Sequence, residues 1–295
     1  MDVLSRTRFL DKSLLAIAHA AEQFLFSEAY ARKPGFLQSL DVRVKLLTFL
    51  FLIILVSLLH NAVTLWALYA VCLLLAIMSG VPIGFFQKRV WLFVPLFSAA
   101  VVLPALFNIV TPGDPLVVLL RLERSYVWGP YTIPSEITVT RQGVGGAIIF
   151  LSRVATSVSF AVLFAMTTRW NVAFSGLRSL LVPRVFVVTL SMTERYIFVF
   201  LRLIQDMYRA RKSRTIRTLP PAIERNWTAS RIGVTFKKSI DMSEDIYKAM
   251  LARGFHGEFL TLDRFHVSQE DVLWLAVVLM IGTMLILFEK GILMP

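Results

Sequence analysis

The sequence predicts an all-α, polytopic membrane protein with about five transmembrane helices and one large polar region of long helices on the cytoplasmic side. Three observations predict it. The 295 residues are 57% hydrophobic, and their mean hydropathy of +0.69 lies far above that of soluble domains. The apolar residues are gathered into runs long enough to span a bilayer. The net charge of +12 is also uneven, because residues 169–231 hold twelve Lys and Arg against Glu194, Asp206 and Glu224. A basic block beside membrane spans marks cytoplasmic chain, so nucleic-acid binding is not expected.

Residues 1–40 form an N-terminal cytoplasmic or interfacial segment. Leu10, Leu14, Ile17, Ala21, Phe24 and Glu28 recur at helical spacing, while His19, Glu22 and Gln23 interrupt any continuous apolar run. This is the pattern of an amphipathic helix at the membrane surface, ended by Pro34-Gly35. No cleavable signal is visible in it, so the first span is expected to direct insertion.

Residues 41–168 hold the first four spans, with Arg43 and Lys45 as cytoplasmic anchors of the first. As one helix, Leu46 to Met78 would be roughly 50 Å long against a hydrocarbon core of about 30 Å. A turn at His60-Asn61 therefore divides it into spans of about 44–60 and 62–79. Gly80-Val-Pro82 ends the second, and Lys88-Arg89 marks the return to the cytoplasm. The third span, about 90–110, is expected to kink at Pro95 and Pro104. Residues 111–143 are rich in Pro, Gly, Thr and Tyr. Their Arg121, Arg124 and Arg141 balance Asp114, Glu123 and Glu136, as suits an extended external loop. Tyr131-Thr-Ile and Ile137-Thr-Val-Thr140 are candidates for a short hairpin.

The fourth span, about 144–166, contains Arg153. A charge at mid-membrane costs roughly 2.5–3.5 kcal/mol on an insertion scale. Arg153 either belongs to an ion or coupling path or bonds the carbonyls of a neighbouring helix, and the second reading is favoured.

Residues 169–270 are the polar cytoplasmic region. A short helix, about 172–181, stops before Pro183, and a long one runs from Arg184 to about Lys212. After Pro220-Pro221 a second long helix is expected over about 231–253. Ile232, Phe236, Ile240, Tyr247 and Leu251 make its apolar stripe, with Glu244 and Lys248 as a helpful pair one turn apart. Residues 271–295 carry the last span, about 272–288. Five spans place the N-terminus in the cytoplasm and the C-terminus outside.

Both long polar helices finish on Ala-Arg: Ala210-Arg211-Lys212 and Ala252-Arg253-Gly254. The last carbonyls of a helix are unpaired and its dipole is negative there, which favours an arginine by a few tenths to about 1 kcal/mol. Alanine keeps the tip narrow enough to enter a groove. Gly254 suits the left-handed position that turns the chain away. A single such end is an ordinary capped surface helix, but two in one cytoplasmic region carry more weight.

Here the sequence resembles the transmembrane coupling subunit, or T component, of energy-coupling-factor importers, in particular its CbiQ-type branch for cobalt and nickel. The matching residues begin with Leu37-Gln-Ser-Leu-Asp-Val-Arg-Val-Lys-Leu46 and Met192-Thr-Glu-Arg-Tyr196. Arg209-Ala-Arg-Lys-Ser213 and Ile246-Tyr-Lys-Ala-Met-Leu-Ala-Arg-Gly-Phe-His-Gly257 complete the set. The resemblance implies two crossing coupling helices whose Ala-Arg ends dock into two ATP-binding-cassette ATPases. Arg211 and Arg253 would be the docking arginines, with Ala210, Lys212, Ala252 and Gly254 around them. It further implies a small substrate-binding membrane subunit, CbiM-like, as a second partner, and a prokaryotic inner membrane as the location. The first motif departs from the second in reading Ala-Arg-Lys, and the segment 111–143 is longer than the family leads one to expect.

What is missing points the same way. The sequence has no G-x-x-x-x-G-K-S/T loop, so ATP and Mg are expected on the partner ATPases and no cofactor in this chain. Its one cysteine, Cys72, permits no internal disulfide. No two of its four histidines have metal-ligand spacing, and His256 alone is read as structural. Ligands for a cobalt or nickel cargo are therefore expected on the substrate-binding partner. An intramembrane enzyme would need acidic or histidine groups in the spans, which hold no acidic residue, so no catalytic residue is assigned. A coupling subunit for a vitamin remains an alternative. So does a conventional ABC permease, which the paired Ala-Arg ends disfavour.

The charge distribution makes the orientation testable. A cysteine placed at Ser125 is expected to react with an impermeant reagent added outside, and one at Ser213 only after permeabilisation. Labelling of Ser213 but not Ser125 would reverse the topology.

Overall fold

The computed structural model describes residues 30–92, 94–108, 110–111, 113–121, 126–128, 131–133, 136–214, 220–257 and 268–289. The amphipathic helix expected before Tyr30 lies outside them. The described chain is mostly helical and falls into two compact units. One comprises the described residues of Tyr30–Arg169 and His266–Pro295; the other comprises those of Trp170–Phe265.

The first unit opens with the short helix α1 (Phe36–Ser39) and continues with α2 (Val42–Leu58) and α3 (Ala62–Met78). The division at His60-Asn61 falls where the sequence predicts it, because Asn61 caps α3 by accepting the Val63 N–H. After α3 come α4 (Ile83–Trp91), α5 (Val94–Val102) and the 3-10 turn Leu103–Leu106. Helical structure therefore begins before Lys88-Arg89, earlier than the expected start near residue 90. Pro95 lies in the first turn of α5, where its missing N–H does no harm. Pro104 sits in the 3-10 turn.

The segment after it forms two antiparallel hairpins, β1 (Pro115–Arg121) with β4 (Glu136–Thr140) and β2 (Tyr126–Trp128) with β3 (Tyr131–Ile133). The expected pairing of 131–133 with 137–140 is thus incorrect. Residues 131–133 find a partner two residues upstream, the commonest hairpin spacing. Residues 136–140 pair instead with Pro115–Arg121, whose Val- and Leu-rich sequence suits a strand. The unit closes with α6 (Arg141–Thr167) and α10 (Gln269–Glu289).

Three stretches among the described residues are long and apolar enough to cross a membrane: Ile83–Leu106, Arg141–Thr167 and Gln269–Glu289. Helices α2 and α3 have seventeen residues each, or about 25 Å. Large apolar side chains face outward, along one stripe on α2 (Leu47, Leu50, Ile54 and Leu58) and over most of α10, with Leu273, Met280 and Met284 among them. In water such a surface would aggregate; in hydrocarbon it is a solvated face.

The centre of the unit is α6, against which α2, α3, α4 and α5 pack, while α10 packs on α2. Phe49 meets Phe160 and Phe164 at ring separations of 6.2 and 5.7 Å, and Leu55, Val56, Leu163 and Met166 fill the surrounding core. A Cβ on Gly282 would lie 2.5 Å from the Phe51 ring, so α10 and α2 approach as closely as a glycine allows.

The ends of these helices are tied by charged groups. The buried Lys45 donates to the Thr167 carbonyl (2.8 Å) at the end of α6. Arg153 donates to the Leu59 carbonyl (2.9 Å) at the end of α2. The arginine thus makes the carbonyl bond that the sequence favours. Asp271, also buried, accepts from the backbone N–H groups of Asp41 (2.9 Å) and Ser268 (2.8 Å). Glu289 accepts from the N–H groups of His60 and Asn61 at the start of α3.

The second unit contains α7 (Trp170–Gly176), a 3-10 turn (Leu177–Leu180), α8 (Arg184–Arg214) and α9 (Pro221–Ala252). Helix α9 starts ten residues earlier than expected. Pro221 occupies its first turn, where a missing N–H does no harm. Its inner face also differs from the predicted stripe. Arg231, Thr235, Ser239, Met242, Ile246 and Met250 are half-buried, while Ile232 (67% exposed) and Phe236 (66%) face outward with Ile240, Tyr247 and Leu251. Hydrophobicity alone selected a face one residue away from the one that packs.

Asp271→Ala is expected to lower the stability of the detergent-solubilised protein by about 1–3 kcal/mol, because it removes the acceptor shared by the part-buried N–H groups of Asp41 and Ser268. Ser268→Ala should cost less. Thermal unfolding compares them, and an unchanged midpoint for Asp271→Ala would contradict the assignment.

Candidate functional site

Helices α8 and α9 form an antiparallel hairpin. At the end where they are connected, Tyr208 meets Trp227 edge-on, with ring centroids 5.3 Å apart and planes at 90°. Further along, Phe200 and Ile204 lie opposite Ser239. Beyond these, Met192 and Tyr196 share a groove of about 720 Å³ with Ile246 and Met250. The two Ala-Arg pairs therefore lie at opposite ends of the hairpin, the second closing α9 and the first just before the last described residues of α8. Trp227 marks the level of Arg211, and from there to Arg253 is about 39 Å along α9.

The Arg253 end is an exposed tip. Ala252 is the last residue of α9, and Arg253 is its C-cap, with φ −91° and ψ 9°. Gly254 has φ +79° and donates to the Leu251 carbonyl (3.0 Å), while Phe255 N–H reaches back to the Met250 carbonyl (3.0 Å). These two bonds define a Schellman motif. Gly254 therefore occupies the left-handed position that its place in the sequence suggests. Ala252 and Arg253 are exposed, as is the Glu244–Lys248 pair one turn back, with its N–O separation of 3.5 Å.

The Arg211 end differs. Ala210 is exposed, and Lys212 lies on the helix, which continues to Arg214. Arg211 is half-buried, with its guanidinium carbon 4.3 Å from the centre of the Trp227 ring. The Arg231 guanidinium lies 5.7 Å from the same ring. Arg209 pairs instead with Asp206 (3.6 Å) on the exposed side. Sequence reasoning assigned nothing to Trp227, because it placed the start of α9 beyond it. The available signal was a tryptophan between Arg225 and Arg231 in an otherwise polar segment.

The structure thus keeps each set of three together, Ala210-Arg211-Lys212 and Ala252-Arg253-Gly254, and holds the two sets apart. Among the described residues no three His, Cys, Asp or Glu side chains come together in a way that could hold a metal ion.

These features define a polytopic membrane protein with a separate polar unit built on a long helical hairpin. The chain belongs to the CbiQ family of cobalt transport proteins, which it matches over residues 35–262. That match covers α1 to α9 and both Ala-Arg ends. The chain is also similar to an uncharacterised protein of Methanocaldococcus jannaschii, 34% identical over 286 residues, or 97% of this chain and 94% of that one.

Gly254→Ala isolates the backbone requirement at the tip, because a Cβ there would meet nothing within 4 Å. Holding an L-residue in the left-handed region costs roughly 1–2 kcal/mol. Amide exchange at residues 254 and 255 is expected to accelerate about tenfold; unchanged exchange would mean that the motif does not hold the tip.

Proposed function

We propose that the chain is the transmembrane coupling subunit of an energy-coupling-factor importer. On this reading it transmits the motion of two cytoplasmic ATP-binding-cassette ATPases to a small substrate-binding membrane subunit. The observation that supports it best is the separation of the two Ala-Arg ends by about 39 Å along α9. One groove on one small partner cannot receive both, whereas two ATPases can each receive one. The cargo is a divalent transition metal, cobalt or nickel, and the family match favours cobalt over a vitamin.

In this scheme ATP and Mg bind the ATPases and this chain catalyses nothing. Helices α2 and α3 complete a set of five spans with the three longer ones, the N-terminus lies in the cytoplasm, and the C-terminus lies outside. The outward face of α9 exposes Ile232, Phe236 and Ile240, as the start of α8 exposes Val185 and Phe186. Such a face suits a partner that is itself a membrane protein.

A guanidinium in a partner's groove can make several charge-assisted bonds, each worth about 1.5–3 kcal/mol. Arg211→Ala or Arg253→Ala alone is expected to leave a weakened complex and reduced uptake. The double variant should release the ATPases and abolish uptake, and lysine should restore only part of the function because it lacks the planar fork. Pull-down of the ATPases with a metal-uptake assay tests this, with membrane insertion checked separately. Normal binding and uptake by the double variant would refute the reading.

A further inference from the structure

The hairpin of β1 and β4 carries an apolar surface that helix packing leaves uncovered. Leu116, Val117 and Val118 are consecutive in β1 and are 56%, 54% and 43% exposed. Successive side chains of a strand point to opposite faces, so both faces are apolar here. Among the described residues only β4 pairs with β1, along one edge. That ladder has register shifts between Pro115 and Val117 and between Val118 and Leu120.

The root of the hairpin is fixed to the spans. Arg141, the first residue of α6, donates its N–H to the Asp114 carbonyl (3.0 Å). The Gln142 amide accepts from the Asp114 N–H (2.9 Å) and donates to the Asp114 carboxylate (3.0 Å). On the other edge of β4, Phe107 bridges to Val139, and the Asn108 N–H donates to the Thr138 carbonyl (3.0 Å). A Cβ on Gly143 would lie 2.6 Å from the Ala105 carbonyl oxygen, so the chain closes tightly at this point. Strand β1 therefore starts where the span Ile83–Leu106 ends and Arg141–Thr167 begins.

We infer that Leu116–Val118 is a lipid-binding surface, seated where the phospholipid headgroups meet the acyl chains. At about 3.3 Å per residue, all three positions lie within about 10 Å of Pro115. The polar layer on each side of the hydrocarbon core is about 5–8 Å deep, so the strand crosses it at these residues. The surface also continues the lipid-facing side of the span. Phe97, Val101 and Leu103 are exposed up to its end, and Val110 follows them before Leu116. A strand from another protein would need an unbroken row of N–H and C=O groups along the free edge, which the register shifts disrupt. Water among the headgroups satisfies that edge, as hydrocarbon could not. Charge returns further along, where Arg121 stands opposite Glu136 in the register. Zwitterionic lipid suffices, because residues 111–143 carry three Arg against three acidic residues. The hairpin thereby anchors the ends of two spans at a set depth. None of this depends on the coupling role.

The test uses the unmodified full-length chain, one copy per nanodisc of phosphatidylcholine. A small fraction of that lipid carries a photoactivated carbene precursor beside its glycerol, and the labelled residues are mapped by mass spectrometry. Peptides holding Leu116–Val118 are expected to be labelled within about twofold of those holding Val101–Leu103, at a depth of about 5–10 Å. The exposed tip at Ala252-Arg253 serves as the unlabelled reference. With the precursor moved to the end of the acyl chain, label should shift towards Phe97 and leave Val117.

Label at Leu116–Val118 no higher than at the tip would overturn the inference. Such unlabelled residues, shielded from hydroxyl radicals only once a second copy or a partner membrane subunit is added, would assign the surface to that protein instead. Equal label from both precursors would place the strand in hydrocarbon and overturn the interfacial site.

Discussion

In a hydrocarbon environment, the carbonyls at the end of a helix have no water to bond, and the membrane unit is organised by how it meets that constraint. Lys45 bonds the last carbonyl of α6, and Arg153 bonds the carbonyl that follows α2. The two bonds are reciprocal: each helix sends one cation to the C-terminal end of the other. They are also spaced alike, with Lys45 and Leu59 roughly 21 Å apart along α2 and Arg153 and Thr167 the same distance apart along α6. The pair sets the antiparallel register of the two helices at both ends, and the Phe49–Phe160 contact falls between. Each cation also meets the negative end of a helix dipole.

The carboxylates complete this arrangement with the opposite sign. Asp271 receives N–H groups at the start of α2 and of α10, while Glu289 receives those at the start of α3. A negative group belongs at a helix N-terminus for the same reason that a positive one belongs at a C-terminus. Helix α10 is thereby held parallel to α2 from one end to the other, with Gly282 allowing the close approach between. Lys45, Arg153, Asp271 and Glu289 thus act as helix-end partners.

What could be read from the sequence followed from local rules. The division at Asn61, the long helix from Arg184 and the left-handed turn at Gly254 each depend on a few neighbouring residues, and each is found where expected. The kind of partner for Arg153 was legible because few solutions exist for a guanidinium in a span; the choice of Leu59 required tertiary structure. Long-range competition produced the failures. The strand Glu136–Thr140 chose Pro115–Arg121 over its nearer neighbour. Helix α9 turns Thr235 and Ser239 towards α8, where they line a cavity with Phe200 and Ile204. The place of Trp227 against Arg211 depends on two helices folding back together, which no spacing along either helix reveals.

The Lys45–Thr167 and Asp41–Asp271 bonds have a consequence for how such a protein changes over generations. The chain leaves the membrane unit just after Thr167 and re-enters it just before Asp271, and both places are fastened to the first turn of α2. Asp41 and Lys45 are only about 6 Å apart along the helix. Some hundred residues are thus inserted at a single spot, the arrangement in which inserted domains are best tolerated. Such an arm can be lengthened, resurfaced or exchanged for that of a relative as a cassette, while the lipid-facing helices inherit their packing unchanged.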